Sequence, residues 1–468
     1  MRYWPVTLLL LSSLVAGLSA ADDHPFESPS QVDPKGGEDS KALVDLWQLF
    51  QEAELEDPRI QIAHAQSEGG RWREREALGQ LLPQLNASGA FNRSLQDNEV
   101  TRDFYNGERY ALTLSQTLYD PETWHNYRRF SDLALQRKAE YEVAQEEATI
   151  DLVERYFSSL AAEDELELVS AELRATERNL ERVQSLYARQ LALITDVLEI
   201  SSRVDALRAA EIRARSDIEV SREALSELVG RTINERLKRI GDQTPFVLPT
   251  QGREYWVEHA MGSSPVLQAR RSAVDAAQAA LKMARGGHAP KASLSLSGQR
   301  SDIGYENSNL ANRTDTYVAS LGVQVPIFSG GSVSARVAAG HADLMAAEHE
   351  FEQARRQVIR EVRSAYYAAE AGVSKIAASR KALLSSQRAR EAAERAFGYG
   401  VMNAIDVLNA IKEEYMARRD LLKAQYDFVM SNMVLRRWSG TLIRSDVHEV
   451  NKWLVAPTLE GSVSRAGL

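Results

Sequence analysis

Leu82-Pro83-Gln84-Leu85-Asn86-Ala87-Ser88-Gly89-Ala90-Phe91 reads as a helix ending and a strand beginning. Pro83 lacks the amide hydrogen that a helix interior needs. After it the apolar period drops to two: Leu85, Ala87, Gly89 and Phe91 alternate with Asn86, Ser88, Ala90 and Asn92. The same junction returns 207 residues later as Ala289-Pro290-Lys291-Ala292, and in both places a second proline, Pro58 or Pro265, stands 25 residues upstream. The correspondence continues. Leu118-Tyr119-Asp120 matches Ile327-Phe328-Ser329, Tyr156-Phe157 matches Tyr366-Tyr367, and Ile194-Thr195-Asp196-Val197-Leu198 matches Ile405-Asp406-Val407-Leu408. Two copies of one large unit imply a pseudo-symmetric molecule rather than two unlike domains.

Working outward, each copy has the same order. A helix begins near Ala42 with Leu43, Leu46, Trp47 and Phe50 on one face, and a second restarts at Asp57-Pro58 and runs to about Leu82. A hairpin follows, with expected strands at 84–97 and 108–119 in copy one and 291–304 and 315–328 in copy two. The connecting segments Gln96 to Gly107 and Ser301 to Thr314 are polar and read as loops. In the last strand Tyr317, Ala319, Leu321, Val323, Val325 and Ile327 share a face, against Val318, Ser320, Gly322 and Gln324. Long helices are expected at 121–188 and 196–230, then at 333–396 and 406–438. The first of each pair would reach on the order of 100 Å. Val169, Leu173, Thr176, Leu180, Val183 and Tyr187 step by four and three, as do Val358, Val362, Ala365, Ala369, Gly372, Ile376, Ser379 and Leu383, which marks coiled-coil seams. Sharp turns separate the paired helices at Arg189 to Thr195 and Gly398 to Ile405.

The chain thus divides into residues 1–21, 22–40, a first repeat at 41–245, a second at 246–442, and a C-terminal segment and tail at 443–468. Arg2, the apolar run Val6 to Leu18 and Ser19-Ala20-Ala21 form a signal peptide, so the mature chain is exported. Asp22 to Ser40 is rich in charge, Pro, Ser and Gly and reads as a disordered leader. There is no Cys, hence no disulfide, no thiolate chemistry and no lipid-attachment cysteine. A net charge of −10 argues against a nucleic-acid partner. No catalytic constellation, nucleotide loop, cofactor motif or metal-ligand set is evident; His341 and His349 lie eight apart with no third ligand nearby.

No apolar run is long enough for a spanning helix, so any membrane crossing must use strands. Four strands cannot seal themselves in lipid, because the sheet edges would leave peptide groups unpaired in hydrocarbon. The smallest transmembrane barrels use eight. If these strands span a membrane, several chains share one barrel. The alternation alone fits a soluble half-buried hairpin equally well, and an exported periplasmic coiled-coil adaptor or scaffold without a channel is the alternative.

Taken together and in this order, Leu82-Pro83-Gln84-Leu85, Gln116-Thr117-Leu118-Tyr119-Asp120, Pro326-Ile327-Phe328-Ser329-Gly330-Gly331 and the two turn motifs resemble the TolC-like outer-membrane efflux proteins, non-lipidated branch. The resemblance covers nearly the whole mature chain. It implies a mainly α fold with a membrane β-barrel: a homotrimer in outer-membrane lipid, forming a twelve-stranded barrel and an α-helical tunnel into the periplasm of a Gram-negative cell. It implies docking to a periplasmic adaptor (membrane fusion) protein and to an inner-membrane ABC or proton-driven pump. The function implied is a passive exit duct for efflux or type I secretion. The stretch from Ile443 to Val455 would pack around the middle of the tube.

The resemblance also singles out the helical turns. Asp406 matches an Asp that rings the tunnel entrance, and the second ring position is Asn409, so the expected gate or selectivity ring is single. Three facing carboxylates would attract cations or resist full ionisation. For Asp196 and Asp406, helix N-capping is the competing reading. Family members close the entrance through a Tyr and an Arg whose places hold Phe397 and Met402, which cannot make those bonds. Arg189, Gln190 and Tyr399, or apolar packing, are left to close it. Adaptor docking falls to Gly400 and Val401, with Gln190 replacing the glycine in copy one.

Overall fold

The computed structural model describes residues 43–97, 102–241, 244–305 and 312–456. The signal peptide, the leader, the tail from Pro457 and the middles of both hairpin loops lie outside the described residues.

The chain opens with β1 (Leu43–Val44), α1 (Leu46–Glu56) and α2 (Pro58–Gly79). The hairpin β2 (Gln84–Asp97) and β3 (Arg102–Tyr119) follows, then the long pair α3 (Pro121–Ala188) and α4 (Ile194–Val229). Short strands β4 (Arg236–Leu237) and β5 (Arg239–Ile240) lead to α5 (Arg253–Ser263) and α6 (Pro265–Gly286). The second hairpin is β6 (Lys291–Tyr305) and β7 (Asn312–Gln324), the second long pair α7 (Ser332–Gly398) and α8 (Ala404–Trp438). The last elements are α9 (Arg444–Lys452) and β8 (Leu454–Val455).

Several boundaries differ from the sequence reading, each for a local reason. The first helix starts at Leu46, not near Ala42, because Asp45 caps it by accepting the Gln48 amide at 3.0 Å. Leu43–Val44 instead pairs in parallel with Arg236–Leu237. The second helix ends at Gly79 rather than Leu82, and two tight turns, Leu81 N to Leu78 O and Leu82 N to Gly79 O, lead into Pro83. The hairpin loops are shorter than their polarity suggests: β3 begins at 102 and β7 at 312. A ladder needs only peptide groups, so polar side chains do not stop it. β7 ends at Gln324, four residues early, since Pro326 cannot donate to the ladder, and Ile327 and Phe328 lie exposed beyond it. The helices after the turns start two residues early, at Ile194 and Ala404, and the third long helix ends at Gly398.

The four long strands form one antiparallel sheet in the order β2-β3-β6-β7, and both outer strands have an open edge. At 14, 18, 15 and 13 residues each exceeds the roughly 9–11 needed to cross a bilayer. The register sorts their faces. Leu112 stands opposite Ala87 and Gly298, Leu114 opposite Leu85 and Leu296, and Leu294 opposite Leu321. One face is therefore apolar, ending in Tyr110 and Tyr317. The other carries Asn86, Ser88, Thr113, Ser293, Ser295, Ser297 and Ser320. Leu85, Leu112, Tyr317, Leu321 and Val323 are all largely exposed, so nothing among the described residues covers the apolar face.

Each strand continues into a helix. At the junction Asp120 accepts the Glu122 amide at 3.0 Å and the Thr123 hydroxyl at 2.9 Å, and Pro121 opens α3. Lys291, first in β6, ties this cap to the second repeat through Glu122 at 2.7 Å and Asp120 at 3.3 Å. Gly286 lets α6 approach closely here, since a Cβ would sit 2.8 Å from the Glu122 nitrogen. Below the sheet α3 packs against α2, α4, α6 and α8, and α7 against α6 and α8. The main core lies midway along the helices. Leu46, Leu49, Tyr156, Leu160, Leu225, Val429, Met433, Val447 and Leu454 meet there, and Tyr156 donates to the Lys238 carbonyl at 2.8 Å. β5 pairs with β8, so the C-terminal segment closes around this core.

Candidate functional site

The two helical turns at the end away from the sheet are built on one backbone plan. In the first, Gln190 N donates to Tyr187 O at 2.8 Å and Leu191 N to Leu186 O at 2.9 Å. In the second, Gly400 N donates to Phe397 O and Val401 N to Ala396 O, both at 3.0 Å. Both are Schellman turns, which place one residue in the left-handed region. That residue is Gly400 at φ 72° in one and Gln190 at φ 63° in the other.

The helix starts differ. Asn403 caps α8, accepting the Asp406 amide at 2.8 Å, while Asp406 Oδ2 accepts the Asn403 amide at 3.4 Å. The matching start of α4 has Leu193 at the cap with no side-chain bond. Neither aspartate is itself the N-cap. Asp406 is the return arm of a capping box, and Asp196 stands in the first turn of α4 beside the Thr195 hydroxyl.

The tips pack on each other through Val183, Ile200, Ala404 and Leu408, with Phe397 against them. Asn179 Nδ2 donates to the Ala404 carbonyl at 3.4 Å, and the Arg182 guanidinium stands 5.2 Å from the centre of the Phe397 ring. Of the residues selected from sequence, only Phe397 enters this cluster. Asn409, Met402, Arg189 and Gln190 face solvent, Asp406 and Asp196 are partly exposed, and Tyr399 and Val401 are over four-fifths exposed. With Leu191, Leu193 and Leu198 they leave an apolar crest uncovered. The sequence reading missed Asn179, Arg182 and Asn403. Asn403 was findable, since an Asn three residues before an Asp at a helix start is a capping-box spacing.

Behind the tip, ion pairs clamp the helices to each other, those of Glu172 and Glu414 through buried carboxylates. Glu172 pairs with Arg203 between α3 and α4, and Glu414 with Arg390 between α8 and α7 and with Arg418 at 3.0 Å along α8. Arg419 Nη2 reaches Glu165 at 2.8 Å, joining α8 to α3. Higher up, Tyr426 donates to the buried Asp164 carboxylate. Burial pushes Asp164 up to about 6, against the pull of Tyr426 and Arg239.

A pseudo-repeated pair of strand hairpins feeding helices about 100 Å long, with an apolar sheet face and open edges, defines an outer-membrane channel subunit rather than an enzyme. The chain belongs to the outer membrane efflux protein family, whose model matches residues 49–231 and 256–441. It is 28% identical to the outer membrane protein TolC of Vibrio cholerae, over 87% of this chain and 93% of that one. It is 29% identical to the alkaline protease secretion protein AprF of Pseudomonas aeruginosa, over 87% and 86%. Among solved structures it resembles the Campylobacter jejuni CmeC outer membrane channel with a TM-score of 0.76 and 16% identity, over 88% of this chain and 90% of that one. The protein is an outer-membrane exit duct extending into the periplasm, and the reading as a scaffold without a channel is set aside.

Proposed function

We propose that three copies of this chain close one twelve-stranded barrel and stack their helical hairpins into a tunnel, through which substrates delivered by an inner-membrane pump pass passively outward. The observation that carries this reading is the four-stranded sheet with an apolar face and two open edges. In lipid such edges must be paired, and identical copies supply β7-to-β2 pairing at every seam. The polar serine-rich face then lines the pore. The apolar crest of Leu191, Leu193, Tyr399 and Val401 is the surface offered to a periplasmic adaptor. The pump is an ABC or a proton-driven one. AprF is named for secretion of an alkaline protease, which favours a protein cargo for at least some relatives.

The entrance is gated by a ring of three Asp406 carboxylates, with Asn409 below it adding no charge. Closure within each copy rests on Phe397, held by Arg182 and the apolar tip cluster in place of a Tyr–Arg latch. The test is single-channel conductance of purified protein in planar bilayers. Asp406→Asn, which keeps the acceptor that the Asn403 amide needs, should lose most of the block by millimolar divalent cations. Unchanged block removes the ring. A purified chain that is monomeric and soluble without detergent removes the shared barrel.

A further inference from the structure

Beneath the sheet, among α1, α2, α3 and the segment after α8, lies a cavity of about 650 Å3. That is the size range of a small-molecule pocket. Phe50, Ile60, Leu152, Leu442 and Val447 make its apolar wall. The charged groups on it are unbalanced. Glu54 is neutralised by its ion pair with Arg444. Glu142 and Glu146, one helical turn apart on α3, line the same space with no hydrogen bond or ion pair to any described residue. Arg437 on α8, the cation whose charge acts on Glu146, is itself held by Glu147 at 2.5 Å and lies over the Trp438 ring.

We propose that this cavity binds a small organic monocation with an apolar body, its charge against Glu146 and its body against Phe50, Ile60 and Leu152. An unpaired carboxylate in a half-apolar pocket is costly when empty, and an ammonium or delocalised cation removes that cost. A neutral ligand leaves the charge unmet, and an anion is repelled by both glutamates. The empty site behaves accordingly: burial pushes Glu146 up to about 8, Glu142 and Glu147 adding to the effect and Arg437 opposing it. At neutral pH the side chain is mostly protonated, so binding a cation ionises it and releases a proton. Affinity therefore rises by about tenfold in all between pH 6 and about pH 8 and levels off above.

The test is fluorescence anisotropy of the cationic dye rhodamine 6G with the assembled full-length protein in nanodiscs, from pH 6 to 9, with anionic fluorescein as the counter-probe. The expected result is saturable rhodamine binding that follows the stated pH profile. Glu146→Gln should weaken it about tenfold at pH 8.5 and flatten the profile. Fluorescein should not bind saturably. Ala148→Trp, which fills the cavity, should abolish binding. The isosteric Glu146→Gln keeps the question answerable if the larger change disrupts the fold. Equal rhodamine binding by wild type and Glu146→Gln, no saturable binding by wild type, or saturable fluorescein binding overturns the proposal. The assay reads occupancy, not transport, so it stands apart from the duct.

Discussion

Gln190 and Gly400 hold the same backbone conformation at equivalent places in the two repeats. A side chain in the left-handed region costs about 1–2 kcal/mol, which Gly400 avoids and Gln190 bears. Gln190→Gly should therefore stabilise the last turn of α3 by about 1 kcal/mol, and Gly400→Ala should destabilise the last turn of α7 by a similar amount. Hydrogen exchange of the Leu191 and Val401 amides, which close the two turns, checks both; equal protection in mutant and parent would contradict them. Asn403→Ala should cost about 1 kcal/mol by removing one arm of the capping box, read as faster exchange of the Asp406 amide. The second turn was legible because Gly400 announces it. Gln190 announces nothing, and only the alignment of the repeats places it. The Arg182–Phe397 contact was not legible at all, since it joins residues from different repeats and no local period encodes it.

The same division holds for whole elements. Val169, Leu173, Thr176 and Val183 on α3, and Val358, Val362, Ala365, Ala369, Gly372 and Ile376 on α7, are buried, as their heptad spacing requires, while Leu180, Ser379 and Leu383 are half-buried and Tyr187, at the tip end of its seam, is exposed. What the spacing omits is the partner. α3 packs against five other helices, and between the seams it buries Asp164 and Glu172. Asp164 makes a pH-dependent contribution whose sign can be worked out. Its folded-state value, about 6, lies above the ordinary 3.8, so the folded state is the better proton binder. The stability it contributes is fully present below about pH 4 and is lost as pH rises through 6, at most about 3 kcal/mol. Carboxylates held down by partners, such as Asp45 and Asp120, act in the opposite direction, so the difference between two proteins is the observable. Melting of the helical signal between pH 4 and 7 should fall less steeply in Asp164→Asn than in the parent. Parallel curves would show that the carboxyl does not titrate in this window.

At the scale of the molecule, the duct depends on which face of each strand meets lipid. The alternation in β2 and β7 gave the two faces of each hairpin but not their alignment with each other, because register between hairpins is set by pairing 190 or so residues apart. The ladder supplies it: Leu296 on β6 stands between Leu114 and Ala319, and the next residue, Ser297, between Thr113 and Val318. A one-residue slip would put the leucines in the pore and the serines in lipid. Two substitutions at adjacent positions therefore have opposite consequences. Leu296→Arg places a charge in the apolar band and should cost about 2–4 kcal/mol of insertion, leaving little heat-modifiable oligomer in the outer-membrane fraction. Ser297→Arg, one residue away, should insert and assemble normally and instead change single-channel conductance, since its side chain enters the water-filled lumen. Equal assembly of the two variants would mean that neither face is in lipid. The reverse order would mean that the sheet faces the other way, with the serine face outward and the tunnel wall inverted to match.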